Sequence, residues 1–198
     1  MSTSIRKKAS YHHGDLQAAL VRTAGQMLEK EGVEALKLRE VARRAGVSHN
    51  APYRHFPQRE ALLAALAAEG FEWLGAAQRK ATETGGLRAM GEAYVQFALA
   101  HPQRFRLMFG GRIPLARHAH LREVASRTFD GLSGALAARV PEAQGAQNAS
   151  VAAWSLVHGL ALLLMGDRIA LGGRKREEFV RDVLASIRFV VGPAQPPA

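Results

Sequence analysis

The chain has 198 residues, enough for one large or two small domains with a buried core. It carries 27 Lys and Arg against 17 Asp and Glu, a net charge of +10 that points to a polyanionic partner. It has no cysteine, which excludes a disulfide scaffold, a thiol nucleophile and a Cys-ligated zinc site.

Positive charge is densest at the front, with 11 basic and 6 acidic side chains in the first 60 residues against 16 and 11 in the remaining 138. The opening MSTSIRKKAS is short, polar and basic, with no apolar segment after it as a signal peptide requires. It reads as a flexible basic arm over residues 1–9 that carries Arg6, Lys7 and Lys8. Helical spacing follows: Leu16, Leu20, Ala24, Met27 and Leu28 form one apolar stripe, Asp15 sits near its favourable N-terminal end, and Gly32 closes it. A second helix turns Leu38, Val41, Ala42 and Ala45 inward. AGVS then breaks the chain, Ser48 is placed to N-cap a third helix, and Phe56-Pro57 ends that helix. A long fourth helix is expected over 57–81, separated by TETGG from helical stretches at 87–100, 102–109, 116–139, 143–171 and 174–191. The tail 193–198 reads as disordered. The expected fold is all-α, with about nine helices in a small basic N-terminal unit and a larger C-terminal helical domain.

The segment GVSHNAPYRHF (46–56) concentrates the chemistry. His49 and His55 are six residues apart, about 600° around an α-helix, and therefore do not share a face. His118 and His120, two apart, fare worse, so no metal site is expected. Ser48 and His55 lack a third group to orient the histidine, so no catalytic set is expected either. The helical wheel instead puts Pro52 and Phe56 on an apolar back, and Asn50, Tyr53 and Arg54 on the opposite front. A short helix of that kind after a tight Gly turn and another helix has the helix-turn-helix pattern. Asn and Arg can read base edges, while Ser, Tyr and His can bind phosphate. Read alone, the same front is equally a solvated helix face.

LKLREVARRAGVSHNAPYRHFPQREALLAAL, with YHHGDLQAALVRTAGQML before it, resembles the N-terminal helix-turn-helix of the TetR/AcrR family of transcriptional regulators, over roughly residues 10–66. The resemblance implies a DNA-binding domain over 10–56 and a regulatory and dimerisation domain over 82–192. HPQRFRLMFG and WSLVHGLALLLM resemble the branch whose regulatory domain carries a Trp-His-Gly signature, here Trp154, His158 and Gly159. By position, Ser48, Asn50, Tyr53, Arg54 and His55 match recognition residues, and Arg59 matches a phosphate-binding residue opening the fourth helix. Lys37 stands where the family often has a capping Thr or Ser. It can grip phosphate but cannot cap. The family implies a cytoplasmic prokaryotic homodimer without a cofactor, most often a repressor that leaves a palindromic operator when a small molecule binds.

Candidate effector contacts are Phe97, Phe105, Met108 and Phe109 around the His101-Pro102 break, together with Trp154 and His158, which share a helix face. Each of these is alternatively ordinary core. Phe179, Val183, Ile187 and Val190 form a stripe on the last helix that is broad enough to serve a two-fold dimer. The apolar run 151–165 is shorter than the roughly 17–25 residues that span a bilayer and is read as a buried helix, so no membrane partner is expected. Two rival readings are a sequence-indifferent architectural DNA binder and, below it, an all-α enzyme, for which no convergent acid, base or nucleophile set is evident.

Overall fold

The computed structural model describes residues 13–137 and 143–187, and every regular element among them is helical. The α-helices are α1 (His13–Glu31), α2 (Leu38–Arg44), α3 (Arg59–Ala100), α4 (Pro102–Phe109), α5 (Ala119–Ala137), α6 (Ala143–Met165) and α7 (Arg176–Ser186). Short 3-10 turns lie at Val33–Ala35, Ala51–Arg54 and Leu115–Arg117. The basic arm, the tail and Val190 lie outside the described residues. The chain forms two compact units, Met1–Leu66 and Ala67–Ala198, divided inside the helix expected over 57–81.

In the first unit the predicted stripe of α1 is the core: Leu20, Ala24, Met27 and Leu28 are buried with Leu36, Leu38, Val41, Ala42 and Phe56. Helix α2 ends in a Schellman closure, in which Val47 N–H donates to Ala42 O and Gly46 N–H donates to Arg43 O. Gly46 adopts φ +70° there, a conformation that strains any residue with a Cβ. The expected third α-helix is instead the four-residue 3-10 turn Ala51–Arg54, and its N-cap is Asn50 rather than Ser48, with no side-chain cap bond. Pro52 brings no N–H to the ladder and Pro57 stops it, so too few residues remain for a regular α-helix.

Two further expectations change in the second unit. TETGG breaks the helix as expected, but later than residue 81: helical backbone runs on to residue 85, and Gly86, at φ 64° and ψ −151°, is a kink that divides α3 into two helical stretches. Thr82 Oγ1 donates back to Gln78 O at 2.7 Å and Thr84 Oγ1 to Ala81 O at 3.2 Å, so both threonines fit the helix. Only a residue without a Cβ reaches the backbone region taken by Gly86. With α3 counted as one element across that kink, and the expected third helix a 3-10 turn, the described residues hold seven α-helical elements where nine helices were expected. Helix α6 ends at Met165 instead of 171, closed by Arg168 N–H to Leu163 O and Asp167 N–H to Leu164 O, with Asp167 at φ 50°. The sequence signal for that stop is the single Gly166, which the later Gly172-Gly173 pair outweighs.

A core of Val95, Leu160, Leu164, Phe179 and Val180 joins α3, α6 and α7. Phe179, expected on a dimer surface, is thus buried within its own chain, and Val183 packs partly against the same cluster. Helix α6 has 23 residues, and its stretch Gly145–Met165 is long and apolar enough to cross a bilayer, so the exclusion on length fails. Its side chains divide by face: Ala153, Leu160, Ala161 and Leu164 are buried, whereas Val151, Leu162 and Leu163 are exposed. That division marks a helix packed on one side and left with a second apolar face.

Candidate functional site

Two regions gather the candidate residues. In the first unit, Pro52 and Phe56 are buried under the 3-10 turn, and Ser48, Asn50, Tyr53 and Arg54 are exposed above them. The wheel argument therefore gives the correct faces although the turn is 3-10, because a short segment anchored by two inward side chains has one free side. His55 is half-buried, with its Nε2 enclosed and without a hydrogen-bond partner among the described residues. Lys37 is exposed at the N-cap of α2 and makes no side-chain cap bond. Arg59 is largely spent on structure, because its Nε donates to Leu36 O at 2.8 Å and its Nη2 to Val33 O. These bonds fix the first turn of α3 to the Val33–Ala35 turn and leave Nη1 outside them. Such a surface offers an amide, a phenol, a hydroxyl and a guanidinium, groups suited to base edges and phosphates.

In the same unit a charged network joins α1 to α2. Arg43 and Arg44 each approach Glu40 at 2.7 Å, and Arg44 also pairs with Glu31. Hydrogen bonds from Arg43 and then Arg44 hold the Glu40 carboxyl down to about 2, and Arg44 keeps Glu31 below the ordinary 4.5. Both folded-state values lie below the unfolded one, so this contribution is complete above pH 4.5 and disappears as pH falls toward about 2. Urea unfolding as a function of pH should therefore show a stability loss across that window that is flatter in Glu40→Gln. High salt should shrink the difference, because these groups are solvent-exposed.

In the second unit a cavity of about 470 Å³ opens among α3, α4, α5, α6 and α7. Of the six candidate effector contacts, Met108, Phe109 and Trp154 line it. Phe105 is fully buried behind that wall, stacked on His158 with ring centroids 5.2 Å apart, and Phe97 is likewise buried outside the lining. Ile187, expected at a dimer surface, lines the cavity instead.

Tyr94, which sequence reasoning did not single out, organises the wall. Trp154 Nε1–H donates to the Tyr94 hydroxyl at 3.0 Å, and that hydroxyl lies 2.8 Å from His158 Nδ1. Trp154 leaves the hydroxyl with its own proton and a second lone pair, so the contact to Nδ1 forms with either neutral histidine tautomer. Burial lowers the His158 pKa and raises that of Tyr94, so both are neutral near pH 7. The Trp-His pair legible in the sequence is thus tied through a tyrosine from another helix. Gln78, also missed, is buried and borders the cavity. Among the described residues no group of three or more His, Asp or Glu side chains could hold a metal ion.

Residues 20–66 match the family profile described as "Bacterial regulatory proteins, tetR family", and residues 87–187 match "Tetracyclin repressor-like, C-terminal domain". The descriptions name the family and not the Trp-His-Gly branch. No curated protein matches the chain. A solved protein of unknown function from Rhodococcus sp. RHA1 is 35% identical, with a TM-score of 0.77 over 90% of this chain and 96% of that one. Two others share the fold at lower identity. The regulator PfmR from Thermus thermophilus is 20% identical, with a TM-score of 0.59 over 84% of this chain and 94% of its own. AibR, solved with isovaleryl coenzyme A and operator DNA, is 18% identical, with a TM-score of 0.60 over 85% and 95%.

Proposed function

The chain belongs to the TetR family of bacterial regulators, and from that premise we propose that it is a dimeric repressor released from a palindromic operator by a small, largely apolar molecule. The protein is a DNA-binding, ligand-responsive transcriptional regulator, and its family points to regulation rather than catalysis. Members of the family are soluble, cytoplasmic DNA-binding proteins.

The observation that carries the reading is the pair of faces at residues 48–56, with Pro52 and Phe56 inside and Asn50, Tyr53 and Arg54 outside. We assign base reading to Asn50 and Arg54, with Tyr53, Ser48 and Lys37 on phosphates. Arg59 supports them through its Nη1, and His55 mainly by filling space beside Phe56. The cavity walled by Met108, Phe109 and Trp154 is the effector site, with Phe97, Phe105 and His158 as its backing. The exposed Val151, Leu162 and Leu163 of α6 suit a two-fold helix-on-helix interface. A two-fold dimer presents its reading surfaces to successive major grooves about 34–36 Å apart, hence the palindrome. Helix α3 carries Arg59 near its start and Phe71, Leu74 and Gln78 in the cavity wall, so a shift of α3 on ligand binding would reach the reading surface. AibR, solved with both an acyl-CoA and operator DNA, supports the expectation of two ligands.

Binding sites selected from random DNA should be palindromic, and a releasing ligand should bind the operator complex about 5- to 150-fold more weakly than free protein, by linkage. Equal ligand affinities would sink the release mechanism. Absence of any selected site would favour the architectural DNA binder.

A further inference from the structure

The polar groups around the cavity are few, and all but one are committed. The Tyr94 hydroxyl is engaged by Trp154 and His158. Thr128 Oγ1 bonds back to Val124 O at 2.9 Å and approaches Phe71 O at 3.2 Å. Arg88 stands 59% exposed and faces Glu92 at 3.5 Å on its own helix. Gln78 differs from all three. It is only 7% exposed, it borders the cavity, and its side-chain amide makes no hydrogen bond with any described residue. Its amide atoms are not among the buried polar atoms that lack both solvent and a partner, so they are open to whatever fills the cavity, and a ligand can take the place of water there. No carboxylate is found among the lining residues, so a cation would enter without a counter-charge.

We propose that the cavity selects a neutral, largely aromatic molecule whose one hydrogen-bonding group, carrying both a donor and an acceptor, pairs with the Gln78 amide. The partner's chemistry follows from the residue. A glutamine amide offers one carbonyl and one NH2, so a carboxamide or lactam edge meets both at once. Phe71, Phe109, Phe129 and Trp154 supply faces and edges for the apolar body. Helix α3 carries both Gln78 and Arg59, so the anchored group lies on the element that fixes the Val33–Ala35 turn. This assignment rests on reading the cavity as the effector site.

Four naphthalenes of equal shape test it by calorimetry on the full chain, bearing a carboxamide, an isopropyl group, a carboxylate or an amidinium. The carboxamide should bind best, and Gln78→Leu should weaken it about tenfold while leaving the isopropyl compound unchanged or tighter. Gln78→Met serves as a second apolar replacement with the same expectation. Both variants should unfold at a urea midpoint close to the parent's, so that a loss of carboxamide binding does not reflect misfolding. Tightest binding by the carboxylate or amidinium, no binding by any of the four, or equal losses for carboxamide and isopropyl compound would each overturn the proposal. Operator retention is measured separately. A carboxamide that binds through Gln78 without releasing operator leaves this assignment standing and removes the release mechanism.

Discussion

Phe105→Ala should destabilise the C-terminal unit by about 3–5 kcal/mol, the largest effect expected from truncating any one of the six candidate effector contacts. The ring is fully buried. It stacks on His158, meets Tyr94 edge-on at 5.7 Å between centroids, and lies 4.8 Å from the Phe109 ring. The loss has two parts, the transfer energy of the removed ring and the void it leaves. The surroundings cannot close that void easily, since Tyr94 and His158 are bonded to each other and Tyr94 to Trp154. Phe109→Ala is the internal control. Its ring is only partly buried and already faces the open cavity, so its removal creates less new void and should cost clearly less. Urea unfolding of both variants checks the order, and equal losses would mean that the two rings play the same part. Calorimetry should show the reverse ranking for ligand, with Phe109→Ala losing more affinity because Phe109 is the ring at the wall.

The contrast between these two phenylalanines shows what a linear sequence can carry. Phe105 and Phe109 are four residues apart and read alike by composition, spacing and neighbours. Which one touches open space depends on how α3, α5 and α6 fill the volume around them, a property no local pattern encodes. Gln78 was hidden for the same reason. In GAAQRKA a polar residue beside Arg and Lys reads as solvent-facing, and only the assembled helices enclose it. The two faces of residues 48–56, in contrast, are legible because they are decided within nine residues. Pro52 and Phe56 must go inward, and whatever lies opposite stays out, whether the turn is α or 3-10. The stripe on α7 misled in the other direction. Its width suggested a partner surface, yet Val95, Leu160 and Leu164 of the same chain absorb Phe179 and Val180. Width tells how much apolar area needs cover, but not which chain supplies it.

Glu69→Ala should cost about 3 kcal/mol, and more than removing the charge it serves. The Arg104 side chain is 3% exposed and donates to Glu69 at 2.7 Å, with its guanidinium 4.2 Å over the Trp73 ring. Gly70 sets this approach, because a Cβ there would lie 3.1 Å from the Arg104 side chain and 2.6 Å from Met108 Sδ. Truncating Glu69 leaves a buried cation whose carboxylate is gone, whereas Arg104→Met removes charge and desolvation penalty together and keeps the packing volume. The loss for Glu69→Ala belongs at the low end of the usual range, since its carboxylate side is 30% exposed and water can take its place. Arg104→Met should cost about 1 kcal/mol, mostly the lost stacking on Trp73. Once Arg104 is Met, adding Glu69→Ala should cost little further, so the double variant should resemble Arg104→Met and not the sum of the two. Additive losses in urea unfolding would mean that the two residues act separately, with Arg104 held by its stacking. Non-additive losses would make the pair the clamp that keeps α4, and with it Met108 and Phe109, against α3 beside the cavity.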